Sequence, residues 1–401
     1  MTLPVAADGT GLGKGRISSR WMAVVSDFVD GPADRRTDTA PPRFSRGRPE
    51  DGPAIPVDRE SARARAVVTG GYLERLPLAC LKAGLVDAVE VWHHWRGETP
   101  PPPRRESEVL TRRAFRLDGD GAPFASGDMV DFVKTHGPPA ILVVLGLGLD
   151  ETVLDACRDS LIVYNSIDAP SLRVPSAVSR HFDLVITGAE WQSAEVRERH
   201  PDVACLVAPI GPEFAATDLF RPLGGPKTYD VIYVAAAQRY KRHDVLFDAL
   251  GARPDLTALC VFGYGELAEP YRREIADRGI KVDCVGPPGV AFDEVNRLMN
   301  SARIGVVCGE DDGAPAILTE YMLAGLPVLA NERLRCGLQF ITPETGATAP
   351  ADRFGDAIAD LVARAPTMDP RGIVLARWTW PHSVERMRHA LRIAAKGKPL
   401  W

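Results

Sequence analysis

Two carboxylates eight positions apart, Asp312 and Glu320, lie in the segment GEDDGAPAILTEYMLAGLPVLAN from Gly309 to Asn331. Gly313 and Pro315 stand between them, and Gly325 and the apolar run Pro327 to Ala330 follow, so the segment reads as loop, helix, turn and strand. Pro315 suits the first helical position, because its fixed φ is helical and its missing N–H would have no partner there. Gly325 suits the stop. The start of such a helix, with Gly313, Ala314 and Pro315 around it, carries unpaired N–H groups and a partial positive charge that favour phosphate. Two acids beside it can accept hydrogen bonds from hydroxyls. An anion site flanked by hydroxyl acceptors describes a nucleotide sugar.

The elements that must hold these residues follow from the chain's rhythm. At 401 residues with 45% apolar content, the chain fits two domains and a tail. From Arg65 onward short β-rich runs alternate with helical stretches, which predicts parallel sheets covered on both faces. The first series runs AVVTGG, YLERLPLACLKAGL, AVEVWHHW, GDMVDFVKTHG, AILVVLGLGL, SLIVYNSID and FDLVITG, ending near CLVAP. Residues 209–222 read as a connection, after which YDVIYVAA opens a second series. The predicted organisation is an irregular arm over 1–60, a Rossmann-like domain over 61–222, another over 223–380, and a crossing helix over 381–401. Trp21 to Val25 is the one apolar piece in that arm. The stretch from Arg96 to Arg116, with four prolines at 100–103 and five arginines between 104 and 116, reads as a loop.

Bulk properties narrow the function classes. A formal charge of -5 gives no general pull toward nucleic acid. The seven cysteines stand singly, without zinc-site spacing, and read as reduced core residues of a cytoplasmic protein. No apolar run is long enough for a membrane span. The arginines between 104 and 116 could touch anionic headgroups at a membrane's inner face or an anionic acceptor, although a solvated loop is the plainer reading.

The second half resembles the donor domain of the retaining glycosyltransferases of family 4, the glycosyl transferases group 1, which have the GT-B fold. Four landmarks carry the resemblance in order: YVAAAQRYKRHDVLFDAL, VFGYGELAEPYRREIADRGIKVDCVG, SARIGVVCGEDDGAPAILTEYMLAGLPVLAN and ARWTWPHSVERM. The front half resembles the family less, through FDLVITGAEWQSAEVRERHP, VAPIGPEF and FRP. The resemblance implies two Rossmann-like domains with a cleft between them, and a sugar passing from a nucleoside-diphosphate donor to a hydroxyl on a glycan, lipid-linked or small-molecule acceptor, with retention. It implies no cofactor beyond the donor as co-substrate and no metal.

Residue by residue, the resemblance gives Glu320 to the ribose hydroxyls, Asp312 to the donor sugar and Lys241 to the diphosphate. Asp312 replaces the family's glutamate, and Glu310 or Asp311 could stand in for it. Ala236 replaces an arginine, with Arg239 and Arg242 as candidates to compensate. Gly70 and Gly71 resemble the glycine loop that meets the diphosphate from the front, Gly263 and Gly265 fall in the second landmark on the donor side, and Val285 begins the stretch that holds the base. On the acceptor side, His93, His94 and Asp168 end strands that face the cleft, though packed histidines and a helix-capping aspartate are the plainer readings.

Two other glycine patterns fail. GTGLGKG at 9–15 follows no strand, and LGLGLDET at 145–152 lacks the third glycine of a dinucleotide fingerprint. The double departure at 236 and 312 keeps open a non-catalytic relative that only binds nucleotide. A sugar-nucleotide epimerase or an NAD-dependent oxidoreductase is the remaining two-domain alternative.

Overall fold

Short apolar runs buried on both faces assemble into two sheets in the computed structural model of the chain, which describes residues 20–31, 52–395 and 398. The front sheet contains β1 (Trp21–Asp30), β2 (Ala88–Trp95), β3 (Arg104–Arg105), β4 (Leu110–Arg116), β5 (Ile141–Leu145), β6 (Leu161–Asn165), β7 (Leu184–Thr187) and β8 (Ala204–Val207). Their spatial order is β3-β4-β2-β1-β5-β6-β7-β8, and every pair except β3 with β4 is parallel. The back sheet contains β9 (Tyr229–Val234), β10 (Ala258–Val261), β11 (Val282–Val285), β12 (Ala302–Val307), β13 (Val328–Asn331) and β14 (Gly346–Ala349). It is wholly parallel, in the order β11-β10-β9-β12-β13-β14. Parallel neighbours need crossover helices, which cover both faces and leave the strands' carboxyl ends open for ligands.

Three sequence expectations are corrected. Trp21 to Val25 does not sit in an irregular arm: it opens β1, the strand between β2 and β5, and Met22, Ala23, Val24 and Val25 are buried. A strand buried on both faces shows a short continuous apolar run without alternation, and the Pro- and Arg-rich chain after it disguised its place. The remaining predicted arm, 1–19 and 32–51, lies outside the described residues. Residues 66–69, read as the first strand, instead join the helices Arg59–Arg65 and Tyr72–Lys82. The supposed loop before Arg116 contains β4, in parallel register with β2.

Ion pairing explains how arginines enter that strand. Arg113 is buried against Glu90 at 2.9 Å, its guanidinium 4.3 Å from the centre of the Phe132 ring. Arg112 pairs with Glu74 and Glu106, and Arg104 also reaches Glu106. The stretch is therefore laced to its neighbours rather than presenting a bare basic surface. Among the described residues no helix is long and apolar enough to cross a membrane.

The helix Trp380–Ala394 crosses back to the front domain. Its Val384, Met387, Leu391 and Ala394 share a core with Leu76, Ala79 and Cys80 of the helix Tyr72–Lys82. Ser383 donates to the Glu213 carbonyl at 2.9 Å, and Arg386 meets the Glu213 carboxylate at 2.5 Å. Burial raises the Glu213 carboxyl above the usual glutamate range despite Arg386 and Ser383.

Met22→Ala and Met387→Ala should each destabilise the front domain by about 2–5 kcal/mol, as buried large-to-small changes do. Urea unfolding checks this; a change below about 0.5 kcal/mol, typical of surface positions, would refute the placement of that segment in the core.

Candidate active site

The two sheets meet through the GEDDGAPA segment. A Cβ on Gly313 would collide with the Asp168 backbone after β6, and one on Gly211 would collide with the Ala314 carbonyl and with Ala316. Gly188, after β7, lies equally tight against the Gly313 carbonyl. Hydrogen bonds add to this contact: Trp191 Nε1 donates to the Arg335 carbonyl, Gln339 Nε2 to the Gly188 carbonyl and Thr319 Oγ1 to the Pro212 carbonyl, each at 2.8 Å.

The helix that carries Glu320 spans Ile317–Leu323, shorter than the spacing predicted, because Pro315 and Ala316 form the turn before it. Their carbonyls accept from Leu318 and Glu320 N–H. A helix of this length has a weak dipole, so its anion affinity depends more on side-chain cations. Its stop is as expected: Gly325 has φ +87°, and Leu326 N–H returns to the Tyr321 carbonyl.

Each of the two predicted carboxylates has a cation. Asp312 pairs with Lys241, whose ammonium also lies 4.8 Å from the centre of the Tyr240 ring. Burial disfavours that ammonium, but Asp312 together with Tyr240 and Tyr264 outweighs it and holds the group above the ordinary lysine range. Glu310 instead meets Arg242 at 2.7 Å, and Asp311 lies exposed 3.9 Å from Arg335. Within GEDD it is thus Asp312 that faces Lys241. Glu320 receives Arg75 Nη1 at 2.6 Å, with both side chains almost wholly buried, at 3% and 9% exposure.

The glycines fall on both sides of this centre. Gly70 has φ +86°, and Gly71 caps the helix Tyr72–Lys82. The Glu74 carboxylate accepts from Gly71 N–H at 2.7 Å, so a carboxylate already occupies the helix start expected to greet a phosphate. Gly265, at φ +121°, lies against the Ala237 backbone, while Gly263 follows β10 beside Gly289. Val285 ends β11, beyond which Gly286 accepts from Arg272. Arg242 is committed to Asp244 and Glu310. Arg239 is exposed and opens the single turn Arg239–Lys241 that ends on Lys241.

On the acceptor side, Asp168 pairs with Arg173 while its backbone abuts Gly313. His93 lies 3.3 Å from the Asp30 carboxylate and 3.1 Å from an Arg112 nitrogen. His94 is corrected as a candidate: successive strand residues face opposite ways, and it points into the core against Phe124, fully buried. Burial, reinforced by His93, lowers it to about 4, so it stays neutral at neutral pH.

Two groups escaped the sequence reading. Arg75 sits four residues before Ala79, on the apolar stripe of its helix, and a charge on that stripe was the available signal. Asp27 ends near Gly146 and Tyr72, and burial raises its carboxyl above the usual aspartate range. Its signal was hidden with the rest of β1. Among the described residues no cluster of three or more histidine, cysteine or acidic side chains could hold a metal ion.

Comparison with known proteins bears on this arrangement. The family model described as glycosyl transferases group 1 matches residues 217–367. Sucrose-phosphate synthase from Thermosynechococcus elongatus is similar in structure at 17% identity, with a TM-score of 0.64 over 93% of this chain and 98% of that one. Anabaena HepE, solved with UDP and glucose, is 13% identical, with a TM-score of 0.60 over 93% of this chain and 99% of that one. The pneumococcal O-GlcNAc transferase GtfA has 14% identity and a TM-score of 0.51 over 67% of this chain, which spans 60% of GtfA's length. No curated protein matches the sequence. Residues 217–367 therefore belong to the glycosyl transferases group 1 family, and the chain as a whole has the two-domain GT-B fold.

Proposed function

We propose that this protein transfers a sugar from a nucleoside-diphosphate sugar to a hydroxyl of a glycan, lipid-linked or small-molecule acceptor, with retention. The observation that carries the proposal is the Lys241–Asp312 pair at the cleft of a group 1 domain. HepE, a relative in fold, was solved with UDP and glucose, which supports this ligand class. All described cysteines are free, and a cytoplasmic location is proposed with them.

In the proposed reaction the donor diphosphate takes Lys241 from Asp312. The ammonium then neutralises the leaving group, and the Asp312 carboxylate turns to the sugar hydroxyls. Glu320 accepts from the ribose hydroxyls. The acceptor oxygen attacks the anomeric carbon on the face from which the diphosphate departs. The carbon–phosphate-oxygen bond breaks with its electron pair on the diphosphate, which takes the acceptor's proton. Lys241 meets the growing charge, the role in which a preorganised cation contributes most. The proposal calls for no protein nucleophile and no metal, so EDTA should leave the rate unchanged.

A thermal-shift screen of UDP, GDP, ADP and their sugars should find one nucleotide that raises the melting temperature, since a ligand bound to the folded state stabilises it. A response to NAD with none to sugar nucleotides would sink the proposal. Glu320→Ala should shrink that shift without erasing it, with the helix intact, alanine being a good helix former. Nucleotide binding without transfer or hydrolysis across a broad donor and acceptor panel would favour a non-catalytic binding protein, a reading that Ala236 and the Glu74 cap keep in play.

The two members of the ion pair should separate kinetically. Lys241→Ala should lower kcat by roughly 10²–10³-fold, comparable to losing a transition-state donor, and weaken diphosphate binding as well. Asp312→Asn should lower kcat while diphosphate affinity holds or rises, because Lys241 loses its competing anion. Calorimetric titration beside steady-state kinetics checks both, and a fall in diphosphate affinity for Asp312→Asn as large as for Lys241→Ala would contradict the exchange.

A further inference from the structure

The guanidinium of Arg75 makes two polar contacts, one within the front domain and one across the cleft. Nε donates to the Gly70 carbonyl at 2.7 Å, on the front glycine turn, and Nη1 meets Glu320 Oε1 at 2.6 Å, in the back domain. Phe220 and Phe292 flank the cation, with ring centres 5.7 and 5.6 Å away. A planar, forked donor between two rings has little freedom, so the oxygen it binds has little either. Among the described residues Arg75 is the one ion-pair partner of the Glu320 carboxylate, through Oε1, which leaves its other oxygen for a ligand. Phe292 is 43% exposed, so this arrangement borders open space rather than lying wholly in a core.

We infer that Arg75 is a positioning residue: it fixes the Glu320 carboxylate for a ribose diol and so sets a preference for ribonucleotide over deoxyribonucleotide donors. The inference rests on the proposed role of Glu320. A free carboxylate on three rotatable bonds would accept equally from water, whereas one held by a guanidinium presents a single oxygen in one direction. A diol that fits gains a hydrogen bond to a charged group; a sugar without those hydroxyls leaves a largely buried carboxylate oxygen unpaired. Arg75 also ties that oxygen to the front glycine turn, so the ribose contact and the front wall are set by the same side chain.

The test compares the nucleoside diphosphate that gives the largest thermal shift, among UDP, GDP and ADP, with its 2′,3′-dideoxy counterpart. The parent protein should prefer the ribo form by roughly 10–100-fold, the range of a hydrogen bond to a charged group. Glu320→Ala should collapse the ratio to within about threefold. Arg75→Met should do the same while leaving the dideoxy affinity within about threefold of the parent. Arg75→Lys keeps the charge, loses the fork, and serves should the methionine variant not fold; its ratio should fall at least about fivefold. A purely structural role would weaken both ligands together and leave the ratio unchanged, which overturns the inference. Collapse in Glu320→Ala with the parent ratio in both Arg75 variants removes only Arg75's role. A parent ratio in Glu320→Ala instead removes the ribose assignment itself.

Discussion

A carboxylate placed where water scarcely reaches needs a cation, and this cleft holds Glu320 and Asp312 in that condition at once. Arg75 comes from the front domain to meet Glu320, and Lys241 comes from the turn after β9 to meet Asp312. Such pairs add little net stability, because the desolvation of both ions offsets their attraction. What they provide is position. Losing either cation would leave a buried charge uncompensated, so the glycine turn at 70–71, the GEDD segment and the 236–242 turn are bound to one geometry.

The back-domain half of that geometry was legible in the sequence because it is local. Asp312, Glu320 and Gly325 fall within one loop, helix and turn, where spacing alone fixes which residues share a side. Lys241 was legible through its landmark. The parallel α/β architecture and the return of the last helix followed from the alternating rhythm and the resemblance. Arg75 was not legible, because its meaning arises only when residue 75 meets residue 320 across two domains. β1 was missed for a different reason: its first six residues are buried on both faces and lack the alternation that marks a half-buried strand, and they stood in polar, proline-rich company. Arginine-rich β4 was missed because charge in a sequence reads as solvent, and only partners such as Glu90 and Glu74 make it otherwise.

The departures from the family pattern acquire a physical context. Aspartate at 312 is a side chain shorter than glutamate, yet it reaches Lys241 directly. Ala236 removes a cation from the same turn, and Arg242, one residue beyond Lys241, is spent on Asp244 and Glu310. Lys241 is thus the cation of this turn that Asp312 meets, and Asp312 holds it above the ordinary lysine range. Glu74 shows the same economy on the front wall, where a carboxylate caps the helix start and Arg112 balances it.

The crossing helix bears on the order in which the chain can mature. Cys80 and Met387 touch in the front core although 307 positions separate them, and Leu391 and Ala394 complete the same core. Domains made on a ribosome generally fold from the N-terminus as they emerge. This front domain emerges first but lacks one wall of its interior until the helix at 380–394 has been synthesised. The back domain, begun later, can close its sheet earlier. The half of the protein assigned to the acceptor is therefore the first to be made and the last to be finished, and its exposed apolar surface must be kept from other chains throughout translation of its neighbour.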